Sequence, residues 1–190
     1  MILLTGLINL IKMNSKVLYN PFYYFAGFKS FFIGLAGFLV TCYLTYKTGT
    51  HFNGLLNIDF AKDSDFWVYL LENISQWIIL SITLYLAGFI LSKSKIRFID
   101  ILGTTLLSRL PLLIAPLFRT ITVFQSFGYQ SVAMYFILII YYFSLCWTIA
   151  LLFHAYKVSC NLKDNKLIVS FIICTLLTEV LTKTLLYLII

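Results

Sequence analysis

Residues 99–118 read I-D-I-L-G-T-T-L-L-S-R-L-P-L-L-I-A-P-L-F, a 20-residue run apolar enough to span a bilayer. Arg109 stands near its middle, and Pro111 and Pro116 interrupt its second half. A charge at the bilayer centre costs about 2.5–3.5 kcal/mol on insertion scales, so it requires a partner or water. A broken helix also frees backbone carbonyls, which lipid cannot satisfy but a protein-lined cavity can. Whatever the protein does inside the membrane is therefore expected to pass close to Arg109.

The whole chain agrees. Of 190 residues, 61% are hydrophobic, 18% aromatic and 11% charged, whereas a soluble domain carries about a quarter of its residues as Asp, Glu, Lys and Arg. The net charge of +7 does not point to nucleic acid, because the basic residues are scattered between apolar runs, as topology-setting loop charges are. Cys42, Cys146, Cys160 and Cys174 form no C-x-x-C and no Cys/His cluster, which disfavours a metal site or a disulfide framework. No metal or other cofactor is expected. His51 and His154 fall near opposite membrane interfaces and read as interfacial histidines.

Four further stretches reach spanning length, at residues 28–46, 74–92, 132–153 and 167–190. The expected fold is all-α: a five-helix transmembrane domain over 28–190, preceded over 1–27 by an amphipathic, interfacial N-terminal segment. Residues 1–12 are too short to span and lack a signal-peptide pattern; Met1 and Met13 both stand as possible starts. Ser30, Gly34, Gly37, Thr41 and Thr45 recur every three or four residues, a small face on which a neighbouring helix can pack closely. The 47–73 connection contains Asp59, Asp63 and Asp65, but the Gly and terminal Glu of a calcium loop are out of place. It reads as an ordinary acidic exterior loop, with Asp65 as a helix cap.

Five spans put the termini on opposite sides. One side receives nine basic residues: Lys12, Lys16, Lys29, Lys93, Lys95, Arg97, Lys157, Lys163 and Lys166. The other receives three: Lys47, Lys62 and Arg119. The positive-inside rule then makes the N-terminus cytoplasmic and the C-terminus outer, with the bacterial inner membrane as the expected location. Lys93, Lys95, Arg97, Lys157, Lys163 and Lys166 are the candidate contacts for anionic lipid, each contributing about 1 kcal/mol near a charged surface.

Arg109 and Glu179 fall at similar depths, roughly 15 and 18 Å from the inner boundary at 1.5 Å per residue. An Arg109–Glu179 ion pair is expected between spans three and five. It either fixes helix register or forms part of a ligand or proton site, and Pro111 and Pro116 are the candidate cavity-forming breaks. Lys183, one turn beyond Glu179, is the competing partner, expected to snorkel outward instead. Asp100 is expected to cap span three or pair with Arg97. No nucleophile motif, zinc-protease motif or phosphate loop is present, so no enzymatic activity is expected.

Three motifs share one pattern: Y-N-P-F at Tyr19–Phe22, F-I-L-S-K-S-K-I-R-F-I-D-I-L-G-T at Phe89–Thr104, and the proline-rich end of span three. Over about Lys16 to Ile190 the chain resembles the Yip domain family, the Ypt-interacting five-helix membrane proteins, and particularly its bacterial branch. The resemblance implies a five-helix fold and a membrane-organising, lipid-interacting role. The D-L-Y-G-P motif of eukaryotic members is missing ahead of span one, so a Rab-type GTPase partner is not expected. Membrane lipids, a membrane-protein partner or a second copy are the expected partners. A small transporter or channel subunit acting through Arg109 and Glu179 is the alternative.

Overall fold

The computed structural model describes residues 20–23, 25, 27–61, 64–121 and 132–189. Its helices are α1 (Phe28–Thr48), α2 (Phe66–Leu91), α3 (Phe98–Ser108), α4 (Ile114–Arg119), α5 (Val132–Cys160) and α6 (Asp164–Ile189). A minimal antiparallel hairpin, β1 (Thr50–His51) with β2 (Asp59–Phe60), joins α1 to α2 and pairs Thr50 with Phe60 and His51 with Asp59. α3 and α4 are two halves of one span, separated by Arg109 and a 3-10 turn at Leu110–Leu113. Among the described residues five stretches are thus long and apolar enough to cross a membrane. The chain is an all-α integral membrane protein built as a five-helix bundle.

Most of the interfacial segment expected over 1–27 lies outside the described residues. Within it Pro21–Tyr23 forms one 3-10 turn, and Phe22 is buried against Leu107, Leu151 and Ala155. The observed helices are longer than expected at several ends. α2 begins at Phe66 rather than at 74, so the short surface helix expected before it is its first two turns. Asp65 stands at the N-cap position but makes no side-chain capping bond. α5 runs on to Cys160 and α6 starts at Asp164.

The bundle turns apolar side chains outward, as lipid demands, and mixes apolar clusters with hydroxyls and amides inside. Phe32, Leu39, Val40 and Tyr43 of α1 and Ile172, Ile173, Leu176 and Val180 of α6 face outward. Inside, hydroxyls satisfy their own helices and then reach across. Thr105 and Ser81 lie 2.8 Å apart, oxygen to oxygen, so that one hydroxyl donates to the other while the acceptor's own hydrogen goes to its helix, at the Ile101 or the Trp77 carbonyl. Thr83 of α2 meets Thr178 of α6 at 2.9 Å, and the Trp77 indole donates to the Leu102 carbonyl at 3.2 Å. Without water to drive helices together, such bonds and close packing hold the bundle.

Close packing is tightest between α1 and α3. A methyl built on Gly34 would lie 2.8 Å from the Leu107 nitrogen, and one on Gly103 2.8 Å from the Phe31 nitrogen. Each glycine thus lies against the other helix's backbone, and the small face read on span one is the buried one: Ser30, Gly34, Thr41 and Thr45. α1 then stops at Gly49, whose left-handed φ of 61° returns its N–H to the Thr45 and Tyr46 carbonyls. α6 packs chiefly on α2, while α3 packs on α1, α5 and α2. Gly34→Val is expected to lower stability by about 1–3 kcal/mol through backbone overpacking. Thermal unfolding in detergent measures this, with the exposed Ala36→Val as a control that shifts little.

Candidate functional site

The connection after α1 does not stay outside the bundle. From β1 the chain turns inward, burying Phe52 (1% exposed) and Leu55 (2%) before returning at β2. Phe52 packs on Tyr141, Leu112 and Ala115, and Leu55 joins the cluster around Leu80, Leu84 and Cys174. This corrects the reading of an ordinary exterior loop. Non-helical backbone survives at such depth only where protein satisfies it, and here side chains from α2 and α6 do so.

Glu72 of α2, 2% exposed, accepts the Phe52 N–H on Oε2 at 3.1 Å and bonds His51 Nδ1 on Oε1 at 2.8 Å. Gln76, one turn further along α2, donates through Nε2 to the Phe52 carbonyl. Glu179 of α6 accepts the Leu56 N–H at 2.9 Å and lies so close to Gly54 that a side chain there would collide with its carboxylate. At the rim, the Arg119 guanidinium lies over the Phe60 ring, 4.3 Å from its centroid.

Gln76 also fixes Arg109. Its Oε1 accepts from Arg109 Nη2 at 2.8 Å, so one continuous chain of bonds runs from Arg109 through Gln76, the Phe52 peptide groups and Glu72 to His51. Arg109 itself is 6% exposed. Among the described residues the ion pairs are His51–Glu72, Arg97–Asp100 and Lys183–Glu179, and none includes Arg109.

The Arg109–Glu179 pair expected from sequence therefore does not form. Their helices are not the packed neighbours: α6 lies on α2, and it is α2 that offers Arg109 a partner. Lys183, expected to point away, pairs with Glu179 at 2.8 Å. Pro111 sits inside the 3-10 turn, so the helix breaks there. Pro116 lies in the first turn of α4, where its missing N–H is tolerated. Asp100 pairs with Arg97 at 2.8 Å.

At the opposite end, the α2–α3 and α5–α6 turns meet around a cavity of about 640 Å³ lined by Ser92, Lys93, Ser94, Lys163, Asp164 and Lys166. Three of the six basic residues singled out from sequence thus converge. Lys95 and Lys157 are exposed outside this lining, and Arg97 is engaged by Asp100. Among the described residues no group of three His, Cys, Asp or Glu side chains is placed to hold a metal; Asp63 lies outside them.

Glu72, Gln76 and the hairpin were not singled out from sequence. The one available signal is helical: Glu72, Asn73, Gln76 and Thr83, at successive steps of one, three and seven residues, share a face of a mostly apolar span. Burial pushes His51 towards its neutral form. The hydrogen bond and charge of Glu72, helped by the Ala61 carbonyl and Asp59, outweigh this, and the imidazole titrates above its ordinary value.

Two outcomes follow from this arrangement. Because the folded-state value is raised, the His51 contribution is fully present below the unfolded value of about 6.5 and is lost as pH rises through the folded one. The wild type is expected to lose stability relative to His51→Gln between mildly acidic and mildly alkaline pH, as followed by melting curves of both proteins. Gln76→Leu strips Arg109 Nη2 and the Phe52 carbonyl of their partners together, and is expected to cost at least about 2 kcal/mol in the same assay. Comparison with known protein families, curated proteins and solved structures finds no match to this chain.

Proposed function

We propose that this is a non-enzymatic membrane protein of the Yip type, which organises the bilayer by holding anionic lipid headgroups at its basic end. The observation that carries the reading is the cavity where Lys93, Lys163 and Lys166 converge from two interhelical turns. It lies at the end of α2 and the start of α6, where the spans end and, on this reading, lipid headgroups are met. Ser92, Ser94 and Asn161 add neutral hydrogen-bonding groups to the same lining, and Asp164 keeps the site from being uniformly positive.

The Yip-type reading rests on the five-span order, the proline-broken third span and the Y-N-P-F motif, whose Phe22 is an anchor inside the bundle. Nine basic residues against three support a cytoplasmic N-terminus, a C-terminus at the outer face and residence in a bacterial inner membrane. Lipid is the proposed partner, with a membrane-protein partner or a second copy as further candidates; a Rab-type GTPase is not.

A second reading, a small transporter or channel subunit, is favoured by the buried guanidinium of Arg109 and by a cavity of about 720 Å³ at the hairpin end lined by His51, Asp59, Glu72 and Lys183. Phe52 and Leu55, on the hairpin that contributes His51 and Asp59 to that cavity, are buried in the bundle's apolar clusters, so this reading requires the hairpin to lift.

Native mass spectrometry of the purified protein separates the two. The wild type is expected to retain an anionic phospholipid, and Lys93→Gln, Lys163→Gln and Lys166→Gln combined to weaken retention by roughly 100-fold at about 1 kcal/mol per lysine. Equal retention by both proteins contradicts headgroup binding at this cavity. Solute flux in proteoliposomes, abolished by Arg109→Gln with folding intact, would establish the transporter instead.

A further inference from the structure

Arg109 poses a problem that the lipid site does not address. Its guanidinium is enclosed at mid-span, its Nη2 bonds the neutral amide of Gln76, and its Nη1 is buried without a partner. The carboxylate that the relay reaches, Glu72, is already engaged by His51 and the Phe52 N–H. Glu179, the counter-charge expected from sequence, is engaged by Lys183 and the Leu56 N–H. A buried cation left this way carries a desolvation cost of several kcal/mol that only a counter-charge with hydrogen bonds offsets.

Beside the guanidinium lies a cavity of about 10 Å³ lined by Phe38, Thr41, Asn73, Leu106, Arg109 and Leu112. That is room for a single water-sized occupant. Its polar surface comes from Arg109 and from two other buried groups, Thr41 and Asn73. The Thr41 hydroxyl is spent on the Gly37 carbonyl, and one Asn73 amide hydrogen on the Tyr69 carbonyl. Arg109 Nη1 and the second Asn73 amide hydrogen remain as donors. Phe38, Leu106 and Leu112 supply a dry apolar wall.

We propose that this cavity is a small-anion site, in which one halide-sized ion is held by Arg109 and Asn73 and neutralises the guanidinium inside the bundle. A resident water would fill the space and bond Nη1 but leave the charge uncompensated; a halide does both. Among anions a single halide comes nearest to this water-sized space, and the Leu106 and Leu112 side chains must give way slightly to admit it; a phosphate or carboxylate needs room for several more heavy atoms. The ion is structural here, a counter-charge that permits an arginine in the core of the third span, and it is independent of the headgroup cavity.

The test uses the full chain in a neutral detergent, with chloride replaced by gluconate at constant ionic strength. The melting temperature of the wild type is expected to rise saturably with chloride. Chloride NMR lines are expected to broaden in the presence of protein and to sharpen when bromide competes. Asn73→Ala, which keeps the guanidinium, is expected to bind chloride roughly tenfold or more weakly, and Arg109→Gln to show neither effect. Wild-type melting and line widths indifferent to chloride overturn the proposal and leave a water in the cavity. Chloride binding that survives Arg109→Gln but disappears when Lys93, Lys163 and Lys166 are replaced overturns it as well, placing the ion at the basic end.

Discussion

A peptide chain carried into the middle of a bilayer must find a partner for each N–H and C=O it brings, and the hairpin between α1 and α2 meets this constraint with side chains. Phe52 is the critical residue. Its ring fills the space between Tyr141, Leu112 and Ala115, while Glu72 takes its N–H and Gln76 its carbonyl. Glu179 secures the next exposed amide, that of Leu56, from the other side of the hairpin. Two helices thus clamp one short loop, and the loop joins the two helices.

The same amide that holds the hairpin holds the buried cation. The Gln76 amide carries both a donor and an acceptor, so it gives a hydrogen bond to the Phe52 carbonyl and takes one from the guanidinium at once. Arg109 occupies the C-cap of α3, where the helix gives way to the 3-10 turn around Pro111. The break, the arginine and the hairpin are therefore mechanically one feature. The glycine contact between α1 and α3, with Gly34 and Gly103 against opposing backbone, brings the third span close enough to the centre for that feature to form.

Much of this was legible in the residues. The five spans follow from hydropathy, and the packing face of α1 from its Ser, Gly and Thr spacing. Counting along the helices put Arg109 and Glu179 at similar depths. Depth along a helix, however, says nothing about which helices touch, and with α6 on α2 the formal charges found other partners. Acidic and amide residues such as Glu72 and Gln76 also lose their meaning outside context: in a soluble helix they are surface, and here they serve a loop 20 or more residues away. The hairpin was missed for the same reason. Its Asp, Asn and Gly content describes an exterior loop, and the two residues that carry it inward, Phe52 and Leu55, are recognisable only once their pockets exist.

Hydrogen–deuterium exchange resolved to residues 50–60, in micelles or nanodiscs, tests the clamped hairpin most directly. The Phe52 amide should exchange as slowly as those in the middle of α2, because it is buried and bonded to the Glu72 carboxylate within the bundle. Exchange at the rate of an exposed loop, with α2 still protected, would place the connection outside the bundle and contradict the account.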